Sequence, residues 1–133
     1  MSEGRILLVD DETVVRTYVG IALKRSGFEI VEACNGHEAL EIVKSDIRGF
    51  DLLLTDVRMP GMDGTELARI VSERHPAIPV LYISGYPLDF EAEQKKYKSC
   101  GFVQKPFVPA DLLKAVRKCI GSNSGELQRT AVS

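Results

Sequence analysis

The sequence predicts a three-layer α/β fold: a five-stranded parallel sheet, doubly wound as (βα)5 with strand order 2-1-3-4-5 and helices on both faces. Three observations predict it. Short apolar runs rich in β-branched residues alternate with longer stretches of helical period. Strands separated by helices run parallel, because only a crossover connection brings the chain back in the same direction. The runs Ile6-Leu7-Leu8-Val9, Leu52-Leu53-Leu54 and Val80-Leu81-Tyr82-Ile83 are unbroken, as strands covered on both faces are, whereas Glu29-Ile30-Val31-Glu32-Ala33 carries charge and belongs at an edge.

The first strand, residues 5–9, feeds a helix over 12–26 with Val15, Val19, Ala22 and Leu23 on one face and Gly27 at its close. The second strand, 29–33, precedes a helix over 37–45 that buries Ala39, Leu40 and Val43. The third strand, 52–55, leads through Gly64 to a helix over 65–75, with Leu67, Ile70 and Val71 as its apolar face and Pro76 and Pro79 bracketing its exit. After the fourth strand, 79–83, comes the weakest helix, 89–98, whose Phe90, Ala92 and Tyr97 are interrupted by Glu91, Glu93, Lys95 and Lys96. The fifth strand, 101–104, precedes a helix over 109–120 built on Leu112, Leu113, Val116 and Ile120 and ended by Gly121. Residues 4–121 thus read as one domain in the flavodoxin-like order, and the small, polar stretch 122–133 as a disordered tail or linker.

Composition narrows the function. Of 133 residues, 44% are hydrophobic, enough for a core that needs no metal or disulfide to hold it. Seventeen basic residues against nineteen acidic give a net charge of −2, which supplies no general attraction to nucleic acid or an anionic membrane. No apolar run approaches the roughly 20 residues of a membrane span, and the N-terminus lacks the pattern of a secretory signal, so the cytoplasm is the expected location. Cys34, Cys100 and Cys119 are odd in number and include no C-x-x-C pair; they are expected to be reduced packing residues. His37 and His75 lie at helix ends and read as structural or exposed.

In an open parallel sheet the crevice for ligands lies beyond the carboxyl ends of the strands, where strand order reverses. At that edge the sequence places Asp10 and Asp11 after the first strand, Asp56 after the third, Ser84 after the fourth and Lys105 after the fifth. Three gathered carboxylates repel one another unless a cation intervenes. Oxygen donors favour Mg2+, or Mn2+, over zinc, and such a cation shares its sphere with waters and phosphate. Lys105 and the Ser84 hydroxyl then face the metal with groups suited to phosphoryl oxygens.

Four stretches carrying these residues give the chain a family likeness: Ile6-Leu7-Leu8-Val9-Asp10-Asp11-Glu12, Leu54-Thr55-Asp56-Val57-Arg58-Met59-Pro60-Gly61-Met62-Asp63-Gly64, Ile83-Ser84-Gly85, and Gly101-Phe102-Val103-Gln104-Lys105-Pro106-Phe107. In this order and register the chain resembles a bacterial response-regulator receiver domain of two-component signalling, in the CheY-like superfamily, over nearly its whole length. The resemblance implies that Asp56 accepts a phosphoryl group from a phosphohistidine on a sensor histidine kinase or a histidine phosphotransfer domain. It implies that Asp10, Asp11, Asp56 and the backbone carbonyl of Arg58 hold Mg2+, that Ser84 and Lys105 bind phosphoryl oxygens, and that the Lys105–Pro106 bond is cis. Ser84 and Phe102 stand at the switch positions, and the face made by the fourth helix, fifth strand and fifth helix would pass the signal to a downstream protein, with a phosphorylation-dependent homodimer as one outcome. The resemblance also implies that Arg58 and Tyr86 occupy the positions that tune dephosphorylation, where they are expected to crowd the attacking water.

Two other readings compete. A haloacid-dehalogenase-like Mg2+-dependent phosphohydrolase also uses an Asp nucleophile, but places a second Asp two residues later as general acid, where this chain has Arg58. A receiver-like interaction domain that is never phosphorylated has little reason to keep clustered carboxylates facing a lysine. A nucleotide or flavin carrier is disfavoured because the first turn, Asp10-Asp11-Glu12, is acidic and would repel phosphate. No output domain is evident, so the signal is expected to leave by protein contact from a stand-alone regulator or from the receiver module of a hybrid kinase, the latter suggested by Leu81-Tyr82-Ile83-Ser84-Gly85-Tyr86.

Overall fold

The structure, a computed structural model, describes residues 3–85 and 99–132, with side chains described as far as Gly121. Five strands, β1 (Arg5–Val9), β2 (Glu29–Ala33), β3 (Leu52–Asp56), β4 (Val80–Ser84) and β5 (Gly101–Gln104), form one sheet in the order β2-β1-β3-β4-β5, every neighbouring pair parallel. The described helices are α1 (Thr13–Arg25), α2 (Gly36–Ser45), α3 (Gly64–Arg74) and the C-terminal α4 (Pro109–Val132), which corresponds to the fifth helix of the sequence reading. The helix expected over 89–98, and Tyr86, lie outside the described residues.

Alternation along the strands divides the core into two layers. Ile6 and Leu8 of β1 join Leu52, Leu54, Leu81 and Ile83 against Val19 and Leu23 of α1 and Leu112 and Val116 of α4. Leu7 and Val9 join Leu53, Val80 and Tyr82 against Ala39 and Val43 of α2 and Leu67 and Val71 of α3. This is the three-layer arrangement expected for strands buried on both faces, and charged β2 takes an edge. At the amino end of the sheet Arg5 donates to Glu29 (2.8 Å) and Asp46 (2.6 Å) and lies over the Phe50 ring at 4.4 Å, pinning the end opposite the polar strand termini.

The structure departs from the sequence reading in three places. First, β3 and β4 end one residue later than expected, so Asp56 and Ser84 belong to the sheet. The ladder continues there: the Val57 N–H donates to the Ile83 carbonyl (3.0 Å) and the Lys105 N–H to the Ser84 carbonyl (2.7 Å). Second, α4 does not stop at Ile120 but continues to Val132, across the stretch read as a disordered tail. No proline follows Pro109, and each of the two interior glycines, Gly121 and Gly125, costs only about 1 kcal/mol relative to alanine, so neither breaks the helix. Third, Cys100 and Cys119 are joined in a disulfide with Cα atoms 5.5 Å apart, not reduced as expected, while Cys34 is unbridged. The return of α4 along β5 brings the strand entrance to the third helical turn, a proximity that sequence spacing does not reveal.

Candidate functional site

Two helices begin in well-formed caps next to the polar sheet edge: Asn35 accepts from the Glu38 N–H at the start of α2 and Asp63 from the Glu66 N–H at the start of α3. Helix α1 does not. Its N-cap residue Glu12 makes no capping bond and places Oε1 3.3 Å from Lys105 Nζ.

Asp10 follows β1 and is 1% exposed; its N–H donates to the Ala33 carbonyl (3.2 Å), and its Oδ1 accepts the Glu12 N–H (2.9 Å). Asp56, 5% exposed, ends central strand β3. Asp11 is exposed, and one carboxylate oxygen from each of Asp10, Asp11 and Asp56 lies within 4.8 Å of the others. From beyond β5, Lys105 brings Nζ to 3.0 Å from Asp56 Oδ2 and 3.6 Å from Asp10 Oδ2. The Lys105–Pro106 peptide bond is cis. The Arg58 N–H donates to Asp56 Oδ1 (3.3 Å), and Ser84 is buried at the end of β4, the strand next to Asp56.

Burial pushes the Asp10 carboxyl above its usual range; the Glu12 N–H and Lys105 oppose this, but the neighbouring charge of Asp56 adds to it. Burial alone would lower Lys105, but the hydrogen bond to Asp56 and the charges of Asp10 and Asp56 outweigh it and hold the ammonium above its usual range. One acceptor is left over: Asp10 Oδ2 is buried with no hydrogen-bond partner. With the Lys105 ammonium 3.6 Å from that oxygen but no hydrogen bond made to it, the three carboxylates offer an all-oxygen donor set that fits a small hard divalent cation such as Mg2+.

The structure therefore brings Asp10, Asp11, Asp56 and Lys105 together and sets Ser84 at the adjoining strand end. Phe102 lies elsewhere, half-buried on β5 and stacked on Tyr82 of β4 with ring centroids 5.2 Å apart. Sequence reasoning assigned no role to Glu12, although it adjoins the paired aspartates. It read Gly64 only as a helix opening, not as the residue whose Cβ would collide with the Asp56 carbonyl oxygen, and gave no role to Arg16, whose Nη1 donates to the Asp10 carbonyl (2.7 Å). For Arg16 no sequence signal exists, since its partners are fixed only by how α1 packs.

Among the described residues no helix is long and apolar enough to cross a membrane. Residues 6–117 match the family model described as the response regulator receiver domain. The chain is 32% identical over 117 residues to the response regulator receiver protein CpdR of Brucella abortus, covering 87% of this chain and 96% of that one. It is 37% identical over 116 residues to the sensor kinase CckA of the same organism, covering 86% of this chain but only 12% of the kinase. Among solved structures, a CheY-like receiver domain protein of Methanospirillum hungatei superposes with a TM-score of 0.83 at 27% identity, covering 92% of this chain and 97% of that one. The chemotaxis regulator CheY4 of Vibrio cholerae superposes with a TM-score of 0.78 at 31% identity, covering 90% and 98% respectively. Fold, acidic cluster and relatives agree: the chain belongs to the response regulator receiver domain family, the phosphoacceptor signalling modules of two-component systems, which are not themselves enzymes.

Proposed function

We propose that Asp56 is the phosphoacceptor and that Asp10, Asp11 and Asp56, with the Arg58 carbonyl, hold Mg2+. The observation that carries this reading is the place of Asp56: buried at the end of the central strand, 3.0 Å from Lys105 Nζ and within the acidic cluster. A carboxylate oxygen of Asp56 attacks the phosphorus of a phosphohistidine; the new O–P bond forms as the N–P bond breaks, and the imidazole leaves. Mg2+, when bound, offsets the charge gathered by the aspartates and the incoming phosphoryl group. Lys105 transfers its bond from the Asp56 carboxylate to a phosphoryl oxygen, and the Ser84 hydroxyl donates to another. Arg58, whose backbone already bonds the Asp56 carboxylate, flanks the path of the hydrolytic water and with Tyr86 prolongs the phosphorylated state.

The donor in this reading is a sensor histidine kinase or a histidine phosphotransfer domain in the cytoplasm. Matches to both a sensor kinase and a receiver protein of nearly this length support it, and accommodate either a hybrid-kinase module or a stand-alone regulator. Ser84 and Phe102 form the switch, and the face carrying β5 and α4 meets a downstream protein or a second copy of the chain. Incubation with a small-molecule phosphodonor, followed by intact mass, tests the chemistry. One phosphoryl group is expected on the parent with Mg2+, and none on Asp56→Asn or without the metal. Equal labelling of the parent and Asp56→Asn would overturn the assignment.

A further inference from the structure

Every polar group of Asp10 is hydrogen-bonded except Oδ2, which has the Lys105 ammonium 3.6 Å away. Its N–H is bonded to Ala33 of β2 and its Oδ1 to the Glu12 N–H, while its carbonyl accepts Nη1 of Arg16 at 2.7 Å. Oδ2 alone is left, buried and without a hydrogen-bond partner. The orientation of that oxygen therefore depends on the β1–α1 turn, and Arg16 is a side chain reaching the turn's backbone from one helical turn away. Arg16 is itself anchored: its side chain is 16% exposed, and its Nε lies 3.3 Å from Oε1 of Glu32 on β2. Glu32 is placed to reach it because its carboxylate lies over Gly20, four residues along α1, where a Cβ would stand 3.6 Å from Oε2. A guanidinium spans the two acceptors with two different nitrogens; a lysine has one nitrogen and holds one acceptor at a time.

We propose that Arg16 is a positioning residue for the divalent cation: braced against Glu32 of the edge strand, it holds the Asp10 carbonyl and so aims the Asp10 and Asp11 carboxylates at the site. This rests on the reading of the acidic cluster as a Mg2+ site. Arg16 does not touch the cation; it acts through the backbone of the turn, as outer-sphere partners act through the ligands they orient.

Calorimetric titration with MgCl2 of the parent, Arg16→Gln, Arg16→Lys and Glu32→Gln tests the brace, with thermal midpoints measured alongside and Asp11→Asn as the ligand control. Arg16→Gln is expected to weaken Mg2+ binding about tenfold, Arg16→Lys and Glu32→Gln by less, without a matching order in thermal midpoints. A dissociation constant for Arg16→Gln within about twofold of the parent's would overturn the proposal. Should Arg16→Gln fail to fold, Glu32→Gln decides: weakened binding at an unchanged midpoint supports the brace, and unchanged binding overturns it. If the parent takes up no Mg2+, the metal reading is what fails. The backbone amide resonances of Asp10, Asp11 and Glu12 in the metal-free protein then judge the brace: displaced in Arg16→Gln if it holds the turn, unmoved if it does not.

Discussion

A buried aspartate is a liability at neutral pH when the positive charge beside it only partly offsets its burial, as the Lys105 ammonium at 3.6 Å does for Asp10. The Asp10 carboxyl is pushed up by burial and by Asp56. Because its folded pKa exceeds its unfolded one, its contribution to stability is full below the unfolded carboxylate range and is lost as pH rises through the folded pKa. Asp10→Asn keeps an acceptor for the Glu12 N–H and removes the charge. It is expected to stabilise the metal-free protein at pH 7 by on the order of 1 kcal/mol, a few degrees in thermal midpoint, with the gain vanishing at about pH 3. Melting curves at both pH values check this; a variant less stable than the parent at pH 7 would contradict it. Lys105 follows the same sign rule at the other end of the scale. Its charged form, favoured by Asp56 and Asp10, contributes up to the ordinary lysine range and is lost only as pH rises through its raised pKa.

Among the elements, the junction of β3 with α3 controls where Asp56 points. The Gly64 N–H donates to the Val57 carbonyl (2.8 Å) and Asp63 caps the helix, so the chain turns back tightly over the strand end. The crossing is close enough that a Cβ on Gly64 would overlap the Asp56 carbonyl oxygen, with Thr55 Oγ1 at 3.1 Å on the same side. The obstruction is backbone and cannot swing away. Gly64→Ala is therefore expected to destabilise the protein by about 2–3 kcal/mol and to slow phosphorylation of Asp56, since relief requires the strand end to shift. Urea denaturation and phosphodonor labelling measure the two effects; a midpoint equal to the parent's would show that the turn accommodates the methyl group.

For the whole molecule, the Cys100–Cys119 bridge matters most where the sheet has a short edge strand. It closes a loop of sequence separation 19 that contains Phe102, Lys105 and the first turns of α4. By the loop-closure argument such a bridge stabilises the fold by about 3 kcal/mol. Thiol titration of the unfolded, unreduced protein should therefore find one reactive group, Cys34, and three after reduction. Cys119→Ala should melt well below the parent, whereas Cys34→Ser should melt close to it. Three reactive thiols before reduction would show that the bridge does not form in solution.

The sequence by itself determined the layers, the strand order and the edge of the sheet where the acidic cluster gathers. The layers follow from local pattern: short unbroken apolar runs bounded by turn residues fit strands buried on both faces, a charged run suits an edge of the 2-1-3-4-5 order, and a polar residue ending a buried run falls at the rim. Asp10, Asp11, Asp56, Ser84 and Lys105 were legible for that reason. Only the tertiary structure decided which groups touch. The Glu12–Lys105 pair spans 93 residues, the Arg16 brace depends on how α1 packs beside β2, and the Cys100–Cys119 bridge on how α4 returns along β5. Such contacts are fixed by rigid packing of separate elements, and nothing in the local spacing of residues encodes the distance between two side chains that the fold brings together.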